Sequence, residues 1–275
     1  MKHKHIGFIG LGEMGWYMSR CLIDKGFNVT VYDIRMEPAL QIEKLGGHIA
    51  SSPKELAKVS NTIISMVSDD TQTEEVICGK NGVIAGTSPG TTIIISSTVS
   101  PSLCRNIAKY ADNNGVGLLD APVSGGTIAA QSGSLTFMVG GDRKLFDECR
   151  SLFDAMGNNV FYMGVVGAGE VAKLVNNLVL FLNILSANEG LKIGEEAGIE
   201  QDALLKALMT SSGNSWVLEH WDFLTIARRQ GEKNMQMVRK DLKLAIDLAE
   251  ELGINVPIAK LGLNLDYSLP KDRTK

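Results

Sequence analysis

The chain has 275 residues, of which 44% are hydrophobic and 21% charged, with a formal net charge of −4. At roughly 150 residues per domain this length makes about two domains, and apolar content so high with charge so low excludes a disordered chain. The mildly acidic balance argues against a nucleic-acid partner.

The chain opens Met-Lys-His-Lys-His, basic like a signal peptide, but a glycine-rich turn carrying Glu13 follows in place of an apolar run. From there to about residue 160, short apolar runs alternate with helical patterns. Strands are predicted over 6–9, 29–32, 62–67, 92–96, 117–120 and 135–139. Between them Met14, Met18, Cys21 and Leu22 recur at helical spacing, as do Leu103, Ile107 and Ala111, while Pro53, Pro101 and glycines 26, 46, 47 and 115 mark starts and stops. Near-continuous apolar strands alternating with helices predict an α/β, doubly wound, mostly parallel sheet covered on both faces.

After residue 163 the strand signal stops. One long helix is predicted from 164 to about 194, then helices over 201–209, 217–229, 235–252 and 258–265, and a polar, frayed tail over 266–275. The expected domains are therefore 1–163 and an all-α 164–275. The longest apolar segment, 178–185, contains Asn183 and falls short of the ~20 residues that span a bilayer. The expectation is a cytoplasmic protein without a membrane partner. Cys21, Cys78, Cys104 and Cys149 show neither CxxC pairs nor disulfide-framework spacing, so reduced thiols are expected.

The segment HIGFIGLGEMG places Gly10, Gly12 and Gly15 in G-x-G-x-x-G spacing between a strand and a helix. Gly10 suits the tight turn, Gly12 lets backbone approach a pyrophosphate, and Gly15 lets helix and strand pack closely. The helix N-terminus then offers free N–H groups and partial positive charge. This is a Rossmann dinucleotide-binding signature, with Gly10, Leu11, Gly12, Met14 and Gly15 as cofactor-binding candidates. Asp33 follows the second strand, where a carboxylate accepts from the adenosine ribose hydroxyls and repels a 2′-phosphate, so NAD is expected. Arg35 keeps NADP as the alternative, unless it is only a solvated loop charge.

In AGEVAKLVNNLVLFLNIL, apolar residues continue nearly all round the helix beyond Lys173, which predicts burial on most faces. Gly169, Lys173 and Asn177 share one stripe, the glycine leaving room for a ligand or for a close backbone. A lysine at the solvent end of the helix fits the same spacing. Hydride chemistry at a hydroxyl needs a proton acceptor, however, and His3, His5, His48 and His220 are scattered in sequence. A desolvated lysine titrates lower than its usual ~10.4 and suits that task, which makes Lys173 the candidate. Ser124-Gly125-Gly126, just past a strand end and Pro122, reads either as a small nest for a carboxylate or as a plain tight turn. No cluster has metal-ligand spacing, and no metal is expected.

GFIGLGEMG at 7–15, DAPVSGG at 120–126, GAGEVAKLVNN at 167–177 and KDLKLA at 240–245, in that order, give the chain a resemblance to the β-hydroxyacid dehydrogenase family over roughly residues 5–260. The resemblance is strongest to its 3-hydroxyisobutyrate-type members. It implies Lys173 as the catalytic lysine and Asn177 as a substrate-holding asparagine. It implies Ser124, Gly125 and Gly126 as the loop for the substrate carboxylate, Thr98 beside the nicotinamide, and Lys240 closing over the cofactor. SSGNSW at 211–216 is similar to a segment whose aromatic helps close the pocket, which makes Trp216 a substrate-side candidate, with plain core as the other reading. Members are dimers or tetramers, so a homo-oligomer is expected. The family pattern continues past its last helix with an Asp-x-Ser-Ala-type segment; the sequence here ends Pro-Lys-Asp-Arg-Thr-Lys, and different packing is expected there.

The implied activity is hydride transfer between NAD(H) and a small β-hydroxy acid, with lysine as general acid and base. Tartronate semialdehyde (2-hydroxy-3-oxopropionate) reduction is the rival within enzymes, and a non-catalytic dinucleotide-binding sensor the rival outside them. Imine reduction also occurs on this fold, in members that usually replace the lysine.

Overall fold

The computed structural model describes residues 5–222, 224 and 232–265. The β-branched runs become strands and the proline- and glycine-bounded segments become helices. In chain order these are β1 (His5–Ile9), α1 (Glu13–Asp24), β2 (Asn28–Tyr32), α2 (Met36–Lys44), β3 (His48–Ile49), α3 (Pro53–Lys58), β4 (Thr62–Ser65) and α4 (Asp70–Cys78). There follow β5 (Thr92–Ile95), α5 (Pro101–Asp112), β6 (Gly117–Asp120), β7 (Val123–Ser124), α6 (Gly126–Ser132), β8 (Leu135–Gly141), α7 (Arg143–Met156) and β9 (Gly157–Gly164). Side-chain caps fix several starts: Ser52, Asp69 and Asp142 accept from Glu55, Gln72 and Leu145 N–H at 3.2, 2.8 and 3.0 Å.

The strands form one sheet in the order β3-β2-β1-β4-β5-β6-β8-β7, with β9 on β8. β1 to β6 pair in parallel, so the order 3-2-1-4-5-6 reverses direction between β1 and β4. β8 runs antiparallel to β6 and β7, the departure from a fully parallel sheet. Alternate strand residues feed two cores. Ile6, Phe8, Ile64 and Ile94 pack with Met18 and Leu22 of α1 and Phe153 of α7; Ile9, Ile63, Ile93 and Ile95 pack with Leu56, Ile77 and Cys104 from the opposite layer. Three strands escape the sequence reading. β3 and β7 are two residues each. β9 carries Val160 and Tyr162 against the core, but exposed Phe161 and Met163, which alternate with them, are apolar too and hide the pattern.

The chain divides into two compact units, Met1–Lys173 and Leu174–Lys275. α8 (Ala168–Glu196) begins in the first and continues through the second, followed by α9 (Gln201–Met209), α10 (Trp216–Glu219), α11 (Glu232–Glu251) and α12 (Pro257–Asn264). Residues 223 and 225–229 of the helix expected over 217–229, and the tail 266–275, lie outside the described residues. Phe181, Ile184 and Leu191 of α8 pack with Leu205, Val217, Leu242 and Ile246. The expectation that α8 is buried on most faces is not met: Val175 and Val179 are about half exposed and Ile193 is 71% exposed. Its inward residues recur at three- and four-residue steps, so one seam is covered whatever the composition of the rest. By length and hydropathy α8 would suffice to cross a bilayer, but its packed seam marks a core helix.

All four cysteines are free. Burial pushes the Cys78 thiol up to about 11 and raises Cys104 well above its ordinary value, which leaves them as thiols, not thiolates.

Candidate functional site

The carboxyl ends of parallel strands share one edge of a sheet, and four of the predicted segments leave from that edge. Gly10 follows β1, Asp33 follows β2, Thr98 follows β5, and Ser124 follows β6 within four residues. In open α/β sheets this edge, at the reversal of strand order, is where ligands bind.

Past β1 the backbone turns at Gly10, with φ +91°, and a Cβ there would lie 2.3 Å from the Met66 carbonyl oxygen. A Cβ on Gly15 would lie 1.9 Å from the Gly10 oxygen, so the helix meets the turn as closely as backbone allows. Around Gly12 there is nothing within 4 Å of a Cβ, and no side chain caps α1. Two glycines are therefore consumed by packing and the third faces open space before an uncapped helix start, which fits a pyrophosphate. Met14 is half-buried against the core. Leu11 is buried, and its N–H donates to Asp33 Oδ2 at 2.7 Å.

Asp33 also accepts from Arg35 N–H at 2.8 Å and from the Arg35 guanidinium at 3.1 Å, and Arg35 donates onward to the Leu11 carbonyl at 3.2 Å. Partial burial alone would raise the Asp33 carboxyl, but the bonds from Arg35 and Leu11 together reverse this and hold it below the usual carboxylate range. It is therefore an anion at neutral pH, as a ribose-binding carboxylate must be. Arg35 is mostly exposed but tied to Asp33, and so is not merely a solvated loop charge.

Thr98 is half-buried in the loop between β5 and α5, where Ser97 Oγ accepts from Val67 N–H at 2.8 Å. Its neighbour Val99 donates its N–H to Glu170 Oε2 at 3.2 Å. Glu170 is fully buried in the first turn of α8. Asp120, also fully buried, stands at the end of β6. Its Oδ1 accepts from Gly167 N–H at 2.7 Å and its Oδ2 from Glu170 N–H at 2.9 Å. Burial pushes the Asp120 carboxyl up, against those backbone donors, which pull it down. Lys173 follows one turn later with 9% of its surface exposed, so the solvent-end reading does not hold. A Cβ on Gly169 would lie 2.3 Å from the Met138 carbonyl oxygen, which decides for close backbone and against ligand space there. Gly125 and Gly126 both take positive φ, +120° and +64°, and a Cβ on Gly126 would meet nothing within 4 Å.

In the second unit Asn177, 6% exposed, donates from Nδ2 to Asp241 Oδ2 at 2.7 Å and accepts from Asn176 at Oδ1. Lys240 Nζ stands 3.1 Å from Asp241 Oδ1. Trp216 is 47% exposed and so is not core; it stacks on His220 at 4.1 Å between centroids. The histidines, scattered in sequence, are partly paired in space, His220 with Trp216 and His5 with His48 and Thr30. Sequence reasoning gave no role to Asp120, Glu170 or Asp241, although all three stand inside quoted motifs. Among the described residues no three His, Cys, Asp or Glu side chains gather as metal ligands would.

Comparison with known proteins gives the chain its relatives. The family description "NAD binding domain of 6-phosphogluconate dehydrogenase" matches residues 5–164, and "NAD-binding of NADP-dependent 3-hydroxyisobutyrate dehydrogenase" matches 167–268. A probable mitochondrial 3-hydroxyisobutyrate dehydrogenase of Dictyostelium discoideum is 36% identical over 91% of this chain and 80% of its own length. An NAD-dependent L-serine dehydrogenase of Pseudomonas aeruginosa is 36% identical over 95% of this chain and 91% of its own. The solved structure of a Mycobacterium tuberculosis 3-hydroxyisobutyrate dehydrogenase with L-serine superposes with a TM-score of 0.83 at 28% identity, covering 95% and 91% of the two chains.

Proposed function

The chain belongs to the β-hydroxyacid dehydrogenase family, NAD(P)-binding oxidoreductases that include the 3-hydroxyisobutyrate dehydrogenases, and from that premise we propose that it oxidises the primary alcohol of a small β-hydroxy acid, with Lys173 as general base. The observation that carries this reading is the buried Lys173 on a helix whose first turn is bonded to the end of β6, four residues before Ser124. Ser124 and the backbone at Gly125 and Gly126 hold the substrate carboxylate, which fixes where the hydroxyl carbon lies. Lys173 takes the hydroxyl proton in oxidation and returns it in reduction, and Asn177 holds the hydroxyl or the amine in line. The Gly10–Gly15 turn, Asp33 and Thr98 would hold the dinucleotide, with Lys240 a further candidate from the second unit, and the dinucleotide would supply the hydride acceptor. NAD is the preferred form and NADP the alternative.

The relatives' names support a substrate with one shared frame. 3-Hydroxyisobutyrate and L-serine share a CH2OH and a carboxylate on one carbon, differing by a methyl against an ammonium. A site built for that shared frame accepts both in some ratio, and Trp216 is the candidate for reading the difference. Tartronate semialdehyde reduction places the same groups on the same residues in the opposite direction.

The test is Lys173→Ala assayed on 3-hydroxyisobutyrate, L-serine, glycerate and tartronate semialdehyde with both cofactors. Turnover should fall by at least ~10²-fold while dinucleotide affinity is kept. Full turnover in that variant removes Lys173 from the chemistry. Wild-type protein that binds NADH yet converts none of the four favours the sensor reading.

A further inference from the structure

Two fully buried carboxylates lie outside the proposed chemistry, Asp120 and Glu170, and both spend oxygens on backbone N–H groups of other segments. Asp120 receives the N–H groups of Gly167 and Glu170, two of the donors that the start of α8 cannot satisfy within the helix. It is thus an N-cap supplied from β6, forty-seven residues before the first group it caps. The cap is seated by missing side chains. A Cβ on Gly140 would stand 2.6 Å from Asp120 Oδ1 and 2.8 Å from Gly169 N, and a Cβ on Gly169 would stand 2.9 Å from Asp120 Oδ2. Glu170 then carries the link to Val99, next to Thr98.

We infer that Asp120 is a positioning residue for Lys173. Resting on the acid–base reading of that lysine, it fixes the height of the first turn of α8 against the end of β6 and so sets where the amine stands relative to the Ser124–Gly126 loop. One carboxylate links both ends of the proposed constellation: the substrate loop leaves β6 a few residues after it, and the lysine lies one to two turns along the helix it caps. A misplacement of about 1 Å between base and substrate costs on the order of 10²-fold in rate. Short, charge-assisted bonds to two backbone groups in a dry site are suited to prevent it. Glu170 acts on the other side, holding the loop that carries Thr98.

A structural role and a positioning role separate in a double-mutant cycle of Asp120→Asn and Lys173→Ala, read as single-turnover rates with enzyme in excess. Asp120→Asn keeps the shape but presents an N–H donor to one of the two backbone donors. The expected result is a loss of about 10²-fold in rate with the NAD KM unchanged, and no more than about twofold further loss when Lys173 is already alanine. Equal losses in both backgrounds, or a wild-type rate for Asp120→Asn, overturn the positioning role while leaving the lysine reading intact. A wild-type rate for Lys173→Ala alone overturns the lysine reading and the positioning role with it. Should Asp120→Asn not fold, Gly140→Ala displaces the same contact with the charge retained and is scored in the same cycle.

Discussion

The two units hold their candidate residues by different means. In the first, Gly10, Asp33, Thr98 and Ser124 sit where they do because strands end there, and a strand end is a local property of the chain. In the second, Asn177 is held by Asp241, sixty-four residues away on another helix, and Trp216 by His220. A backbone frame thus holds the candidates of the first unit, and side-chain pairs hold those of the second. The first should resist substitution of its polar residues better than of its core and glycines, and the second should show the reverse.

The largest expected effect tests that frame directly. Phe153 is fully buried, with its ring 5.1 Å from Phe137, so Phe153→Ala should cost about 3–5 kcal/mol in urea unfolding. Val175→Ala, on the exposed side of α8, should stay within about 0.5 kcal/mol. A large loss at Val175 would mean that this face is covered in solution, and would erase the contrast between a sheet closed on both sides and a helix closed on one.

The glycines of the first turn sharpen it next. Gly15→Ala drives a methyl into the Gly10 carbonyl and should cost about 1–3 kcal/mol or more. Gly12→Ala meets no protein atom, so its stability should be unchanged while NADH affinity, followed by fluorescence, falls about tenfold or more. If the two variants behaved alike, the division between packing and ligand-facing glycines would be wrong. In the second unit, Asp241→Ala strands the Asn177 amide and should cost about 1–3 kcal/mol, whereas Asp241→Asn, which still offers an acceptor, should recover most of it. Equal losses for both would show that the charge beside Lys240 matters, and not the bond to Asn177.

These contrasts also explain what the sequence could tell. Strands of the parallel sheet were visible because Ile, Val and Thr cluster between turn residues, and the dinucleotide turn because three glycines each answer a separate steric demand. β9 was hidden because Phe161 and Met163 are apolar yet exposed. For α8 the sequence revealed length but not coverage, since a uniformly apolar helix carries no mark of which seam is packed. Asp120, Glu170 and Asp241 were missed for one shared reason. Each bonds to a group 47 to 71 residues away, and no spacing rule reaches that far. The available signal was weaker and local, an acid in the otherwise apolar run of a buried strand at Asp120, where only a partnered carboxylate is tolerated.

The smallest effect compares two acids of the first unit whose surroundings act in opposite directions. Asp33 is held below its ordinary value of 3.8 by bonds from Arg35 and Leu11 that outweigh its partial burial. The stability this provides is present above the unfolded value and is lost as pH falls through the lower folded one. Asp120 is pushed above 3.8 by burial, so its folded form takes up a proton first and the folded state gains as pH falls through that raised value. Urea unfolding between pH 6 and pH 3 should therefore show a shallower acid loss for Asp33→Asn than for wild type, and a steeper one for Asp120→Asn. The Asp33 difference should be small, because the Arg35 side chain is 59% exposed and solvent screens the pair. Parallel curves for both variants would mean that neither carboxylate is perturbed by the fold, and the backbone bonds to Asp120 would then need another account.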